Sequence, residues 1–306
     1  MSVASPVHRP VAAGFGAIDY GLYGATVLAW GFSWIAMRGQ VETVAPEVSV
    51  FWRFVLASAI MMAWAGFRGH DLLSYPLKDH LRFAGLGALI FSTNFTLFYY
   101  GAAVLPSGLL AVIFSTASMF NLFLGLVLFR QKPNMVALAA GLLGFAGIGL
   151  MFWPKLAGAE FNAEAAIGLA FCVGGTLSFC LGNMLSADTQ RRGIGVTPAT
   201  AWGMVYGMVF LGAFSALAGR EFAIDWSVRY LGGLVYLAVV ASVIAFASYL
   251  TLLGRIGSAR AGYVTVMFPV VALSLSTVFE GYQWTPLAAA GLGCVLGGNL
   301  MMLRAR

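Results

Sequence analysis

Along the whole chain, apolar runs of about 20 residues alternate with short stretches that carry charge, proline or clustered polar groups. None of the runs alternates apolar and polar positions over the ~10 residues of a membrane barrel strand. About 20 residues is the length with which a helix crosses ~30 Å of hydrocarbon. The breaks define ten predicted helices: 19–38, 47–67, 82–102, 105–128, 134–153, 165–187, 197–218, 230–253, 260–280 and 286–303. Connections this short make successive helices packing neighbours. The first helix is too long for a signal-peptide core, and no small-residue cleavage site stands out after it, so it is expected to stay.

Composition narrows the class further. Of 306 residues, 60% are hydrophobic and 9% charged, against about 45–50% and about 25% in soluble domains. Too few charges exist to cover a water-facing surface. Disorder fails for the opposite reason, an excess of apolar groups. The net charge of +6 forms no patch, so no nucleic-acid partner is expected; the partners are the lipid bilayer and a small solute. If the N-terminus is cytoplasmic, only Arg38, Lys155, Arg220 and Arg229 of the 17 Lys and Arg face outward and Arg53 lies in a span. The other twelve (17 − 4 − 1) face the cytoplasm. That bias predicts a multi-pass inner-membrane protein with both termini cytoplasmic.

The chain also repeats itself. Residues 138–152, LAAGLLGFAGIGLMF, and 288–302, AAAGLGCVLGGNLMM, share seven of fifteen positions at a shift of 150, and the same shift aligns Tyr99 with Tyr249 and Phe129 with Phe279. The predicted organisation is a tail 1–18, a first repeat 19–153, an outer linker 154–164, a second repeat 165–303 and a tail 304–306. Five helices per repeat is an odd number, so the second copy enters the membrane from the opposite side. The fold class expected is therefore all-α, ten transmembrane helices as two inverted-topology repeats. Such a molecule can open to either side by exchanging the conformations of its halves, with solute near mid-membrane between them.

Polar groups in lipid are costly and tend to face the bundle or a wet cavity. Helix 3 carries the densest set, with Asn94 near the midplane, Phe98 beside it, and Ser92, Thr96, Tyr99 and Tyr100 on another face. Ser115, Ser178, Ser242 and Tyr263 are further candidate contacts, though short hydroxyls also serve helix packing. Among the aromatics, Trp30, Tyr99, Trp202, Tyr206 and Tyr249 are read as deep, where rings suit an apolar or aromatic solute and attract an ammonium. Bundle packing is the competing role for each. Pro269 can kink or hinge helix 9.

Arg53 is the one basic residue well inside a span. It can pair with a solute carboxylate, with Glu280 or with helix-end carbonyls, and its off-centre depth favours a structural or gating contact. Asp19 and Glu280 stand at helix ends, which weakens proton antiport through a buried acid and leaves facilitated diffusion, or coupling through a terminal acid, open. The cysteines and histidines make no metal set, so no cofactor is expected. An intramembrane enzyme would need a nucleophile–base pair or a metal cluster in the spans; none is visible, so no catalytic residue is assigned. A channel would need a charged ring or carbonyl loop. A non-transporting assembly subunit is a weaker alternative, because symmetry serves it no purpose.

Several motifs carry a resemblance: Trp30-Gly31-Phe32-Ser33, Arg53-Phe54 after Pro46, and Met267-Phe268-Pro269 through Phe279-Glu280-Gly281 to Thr285-Pro286. In these the chain resembles the drug/metabolite transporter superfamily in its EamA-type ten-helix form, over nearly its whole length. One departure is Arg130, where the acid matching Glu280 would be expected. The aromatic-rich spans are similar to the YddG-like amino-acid exporter branch. The resemblance implies alternating-access export of metabolites, amino acids including aromatic and apolar ones foremost, with a broader drug or metabolite exporter or importer as the alternative. It also implies a cavity shared by both repeats, with helices 5 and 10 peripheral.

Overall fold

The computed structural model describes residues 16–129, 135–157, 162–256 and 264–304. Its helices are α1 (Ala17–Gln40), α2 (Pro46–Phe67), α3 (Leu77–Val104), α4 (107–129), α5 (Met135–Ala157), α6 (Ala163–Arg191), α7 (Val196–Leu217), α8 (228–256), α9 (Val264–Phe279) and α10 (Pro286–Arg304). No strand occurs among the described residues. Seven of these helices are long and apolar enough to span a bilayer, and α4 and α9 contain shorter apolar helices. Starts and stops follow local chemistry. Pro46 and Pro286 open α2 and α10, where a missing N–H costs nothing. Asn162 and Ser227 cap α6 and α8 by accepting from the backbone N–H of Ala165 and Tyr230.

The two halves repeat each other in backbone detail. α2 ends at Gly69 (φ 75°) and α7 at Gly219 (φ 65°), 150 residues on. The N–H after each glycine reaches back to Ala65 or Ser215, a left-handed closure that glycine adopts without strain. α3 is π-helical over Gly87–Asn94, and α8 over Tyr236–Ile244, ending at equivalent positions under the same shift. The Trp52 indole donates to the Ala223 carbonyl at 3.2 Å, and its counterpart Trp202 donates to the Leu72 carbonyl at 3.0 Å. These bonds lie at opposite ends of the molecule, as exchange of the halves requires.

Packing obeys the same exchange. α2 packs on α7, α4 on α9 and α5 on α10, each helix with its own counterpart, while α1 against α8 mirrors α6 against α3. The α5–α10 pair is peripheral and backbone-close: a Cβ at Gly147 would stand 2.5 Å from the Gly291 carbonyl oxygen, and one at Gly291 the same from that of Gly147. α4 breaks at Thr116. Ser107–Ser115 lie along α9 and α1, whereas Ala117–Phe129 lie on α5, α6 and α10.

Candidate functional site

Where α1, α3, α4, α6 and α9 converge, their rings form one cluster. Trp34 stacks on Phe268 (centroids 6.2 Å apart, 14° between planes) and meets Phe98 at 5.3 Å and Phe114 at 5.6 Å. Phe179 closes on Phe114 at 4.8 Å. Trp30, one turn before Trp34, contacts Tyr249, Phe246 and Phe268 and donates its indole N–H to the Ala241 carbonyl at 3.2 Å. Gly31 between them brings α1 against α9: a Cβ there would stand 2.6 Å from the Val271 side chain. The W-G-x-S motif thus supplies a ring, a close approach and Ser33, which back-bonds to the Trp30 carbonyl.

Two polar atoms in this apolar setting have no partner. The Trp34 indole N–H is one and the Asn94 amide oxygen the other, on residues 7% and 3% exposed. Asn94 turns its NH2 to the Ile90 carbonyl at 3.2 Å, so its oxygen is the atom left over. It stands one turn from Phe98, and Gly175 admits both: a Cβ there would meet the Phe98 ring at 2.8 Å and the Asn94 carbonyl at 3.1 Å. Leaving a buried donor or acceptor unpaired costs about 1–3 kcal/mol, so such atoms call for an explanation, a bound water or solute among them.

The π segments feed this region. A π turn shifts the hydrogen-bond register and marks functional sites in many proteins. Ser178 on α6 donates to the Leu89 carbonyl in the α3 segment at 2.7 Å, as Trp30 on α1 does to Ala241 in the α8 segment. Ser242 donates to Leu237, five residues back, at 2.8 Å. Arg53, 4% exposed, directs Nε and Nη2 at the Ser242 hydroxyl, 3.2 and 3.0 Å away. Its guanidinium lies 4.4 Å from the centroid of Phe95.

Other expected residues lie elsewhere. Tyr99 is fully buried but gives its hydroxyl proton to Gln40, 3.0 Å away. Ser115 bonds the Val112 carbonyl and accepts from Asn299 of α10, which turns it to the periphery. Trp202 and Tyr206 were expected deep. Trp202, in the second turn of α7, holds the loop before α3 near the Asp188 end, while Tyr206 lies midway along that helix with its hydroxyl 3.1 Å from His80 Nδ1. Arg53 does not pair with Glu280, which instead accepts from the Ser107 N–H (2.9 Å) and hydroxyl (2.6 Å), with Arg38 at 4.0 Å. Pro269 lies within α9, which runs through it unbroken. Tyr263 and Arg130 lie outside the described residues.

Three residues in these networks had not been anticipated. Trp34 lies one turn from Trp30 on the same face, a spacing that flags it. Glu47, fully buried, accepts from Arg220 at 2.6 Å and Tyr100 at 2.9 Å; it stands at the first position of its predicted helix, 47–67. Arg38 reaches the Ala102 carbonyl. With Gln40, Glu42 and Thr43 bonded across to Tyr230, Arg229 and Asp225, they tie helices together at the Glu280 end of the bundle. A crevice of ≈ 40 Å³ lies between α2, α7 and α8, lined by Met61, Trp64, Thr200 and Phe246 among others. At ~10–15 Å³ per water it admits about three waters and no metabolite.

Comparison with known proteins agrees with this architecture. Protein PagO of Salmonella typhimurium is 24% identical over 258 residues, covering 83% of each chain. The uncharacterized inner membrane transporter YedA of Escherichia coli is 26% identical over 280 residues, covering 90% of this chain and 88% of its own. The uncharacterized transporter YvbV of Bacillus subtilis is 25% identical over 273 residues, covering 87% and 85%. A solved crystal structure superposes with a TM-score of 0.66 at 15% identity, over 92% of this chain and 95% of its own. The sequence model of the EamA-like transporter family matches twice, over residues 21–153 and 164–304. With a family model covering both halves and ten helices packed by their exchange, this chain is a membrane transporter belonging to the EamA-like family, within the drug/metabolite transporter superfamily.

Proposed function

We propose that the chain carries amino acids, aromatic and apolar ones included, out of a bacterial cell by alternating access, and that the aromatic cluster is its solute site. One observation carries this: the paired orphans, Trp34 N–H and Asn94 amide oxygen, stand beside rings from α1, α3, α4 and α9. An apolar side chain stacks on those rings, an ammonium satisfies the amide oxygen and an acceptor on the solute satisfies the indole. The two repeats, 19–153 and 165–303, act as the exchanging halves. The state described is closed at the Glu280 end, and the parting of α4 from α9 past Thr116 makes the Asp188 end the loading side. The basic residues there make that side cytoplasmic, with both termini.

The test is counterflow of labelled amino acids in proteoliposomes. Wild type exchanges at least one aromatic amino acid. Asn94→Ala and Trp34→Phe each lose one bond of about 1.5 kcal/mol, close to tenfold in apparent affinity. Wild-type vesicles that exchange no member of a broad amino-acid panel would sink the solute assignment.

A further inference from the structure

Arg53 presents an unsolved balance of charge. It is buried in the bundle, and a lone arginine at membrane depth is costly unless it is paired or hydrated. The described partners of its guanidinium are all neutral: the Ser242 hydroxyl, the rings of Phe95 and Phe54, and the Tyr99 hydroxyl alongside. Acids near the Glu280 end are engaged with other bases: Glu280 with Arg38, Glu47 with Arg220 and Glu42 with Arg229. The geometry at the fork is more telling than the charge. Nε and Nη2 form the guanidinium edge that meets the two oxygens of a carboxylate in parallel bonds. Here both N–H groups converge on a single hydroxyl oxygen, at 3.2 and 3.0 Å. That hydroxyl spends its own proton on the Leu237 carbonyl, so only lone pairs face the arginine. Phe95 lies against the guanidinium at 4.4 Å and holds it in place. The edge is set up for two oxygens and is held by one neutral stand-in.

We propose that Arg53 is the anchor for the carboxylate of the transported solute, which displaces the Ser242 hydroxyl from the Nε–Nη2 edge during the transport cycle. The inference rests on the carrier reading above and sharpens it: the substrate class is solutes bearing a free carboxylate, and amines lacking one are discriminated against. Ser242 belongs to the π segment of α8, next to the Ala241 carbonyl that Trp30 engages. Carboxylate capture on α2 is thereby linked to the segment that contacts α1.

The experiment compares phenylalanine with phenylalanine amide and 2-phenylethylamine in proteoliposome counterflow, for wild type, Arg53→Lys, Arg53→Gln and Ser242→Ala. Wild type should prefer the free acid at least tenfold. Arg53→Lys, which keeps the charge but loses the paired geometry, should raise the KM for the acid about tenfold and leave the amide unchanged. Ser242→Ala should keep the preference for the acid. Should Arg53→Gln fail to fold, the wild-type preference and the Lys variant decide alone. Equal wild-type rates for acid and amide overturn the anchor and leave the carrier standing. A folded Arg53→Lys whose KM for the acid is unchanged also overturns it. No flux of any of the three solutes removes the carrier reading for this class first, which keeps the two failures apart.

Discussion

The two ends of the bundle differ in what their polar bonds join. At the Glu280 end, bonds between the halves join α9 to α4 through Glu280 and Ser107 and α1 to α8 through Gln40 and Tyr230, while Arg38 on α1 holds Ala102 on α3 within the first half. At the Asp188 end, the corresponding bonds bind α3 to α6 through Arg82 and Asp188 (2.5 Å) and α3 to α7 through His80 and Tyr206. Both sets join the two halves, and the tie between α4 and α9 through Glu280 and Ser107 belongs to the first. If the halves exchange as proposed, this difference belongs to one conformation of two, and the other would make the mirror bonds.

That contrast can be broken most forcefully at Gly108. A Cβ there would stand 2.6 Å from the Leu273 side chain and 2.7 Å from its Cα. Gly108→Leu wedges α4 from α9 and costs the closed state about 1–3 kcal/mol, a shift of about 5- to 150-fold. The expected readout is rapid labelling of a Leu105→Cys reporter from the Glu280 side, with counterflow lost. Unchanged labelling in a folded variant would show that α4–α9 contact is not the seal. Next come the mirrored tryptophans. Trp52→Phe and Trp202→Phe each remove one indole bond of about 1 kcal/mol, one from each end. The reporter's accessibility should therefore move about fivefold in opposite directions; movement in one direction by both refutes the exchange.

A smaller effect, about two- to fivefold on the same reporter, is expected from Glu280→Gln. It replaces charge-assisted bonds to Ser107 with neutral ones, about 1 kcal/mol weaker. The smallest belongs to Asp225. The Ser227 N–H, then the Thr43 hydroxyl, hold its carboxyl below the ordinary carboxylate range. A depressed folded value means that the tie is present above the unfolded value and lost only as pH falls through the folded one. Between pH 5 and 8 the closure of the Glu280 end should not track Asp225, and Asp225→Asn should change counterflow by less than twofold. A titration midpoint in that window that vanishes in the variant would contradict this.

The helices were legible because unbroken apolarity of the right length has one physical meaning in a chain this poor in charge. Resolved helices α2, α7 and α10 differ from the predicted 47–67, 197–218 and 286–303 by about one residue at an end. The π segments were not legible, since a shifted hydrogen-bond register leaves no trace in hydropathy. Trp202 bonds the Leu72 carbonyl in the loop before α3, and the 150-residue shift that aligned Tyr99 with Tyr249 also pairs it with Trp52, in the second turn of α2. Glu280 with Ser107 and Arg38 with Ala102 are contacts between distant parts of the chain, and no local pattern announces them. Trp34 was one turn from a motif that drew attention to its neighbour.

The π stretch in α3 is a change of phase. One extra residue in the π segment rotates Leu77–Leu86 by about 100° relative to Phe95–Val104, and so sets the face that offers Arg82 to Asp188 against the face that offers Tyr99 to Gln40. Deleting a single residue between Gly87 and Asn94 would restore ideal winding and swing one set of partners out of line with the other. Length itself, more than any side chain along this rod, is what sets its two ends to work on different neighbours.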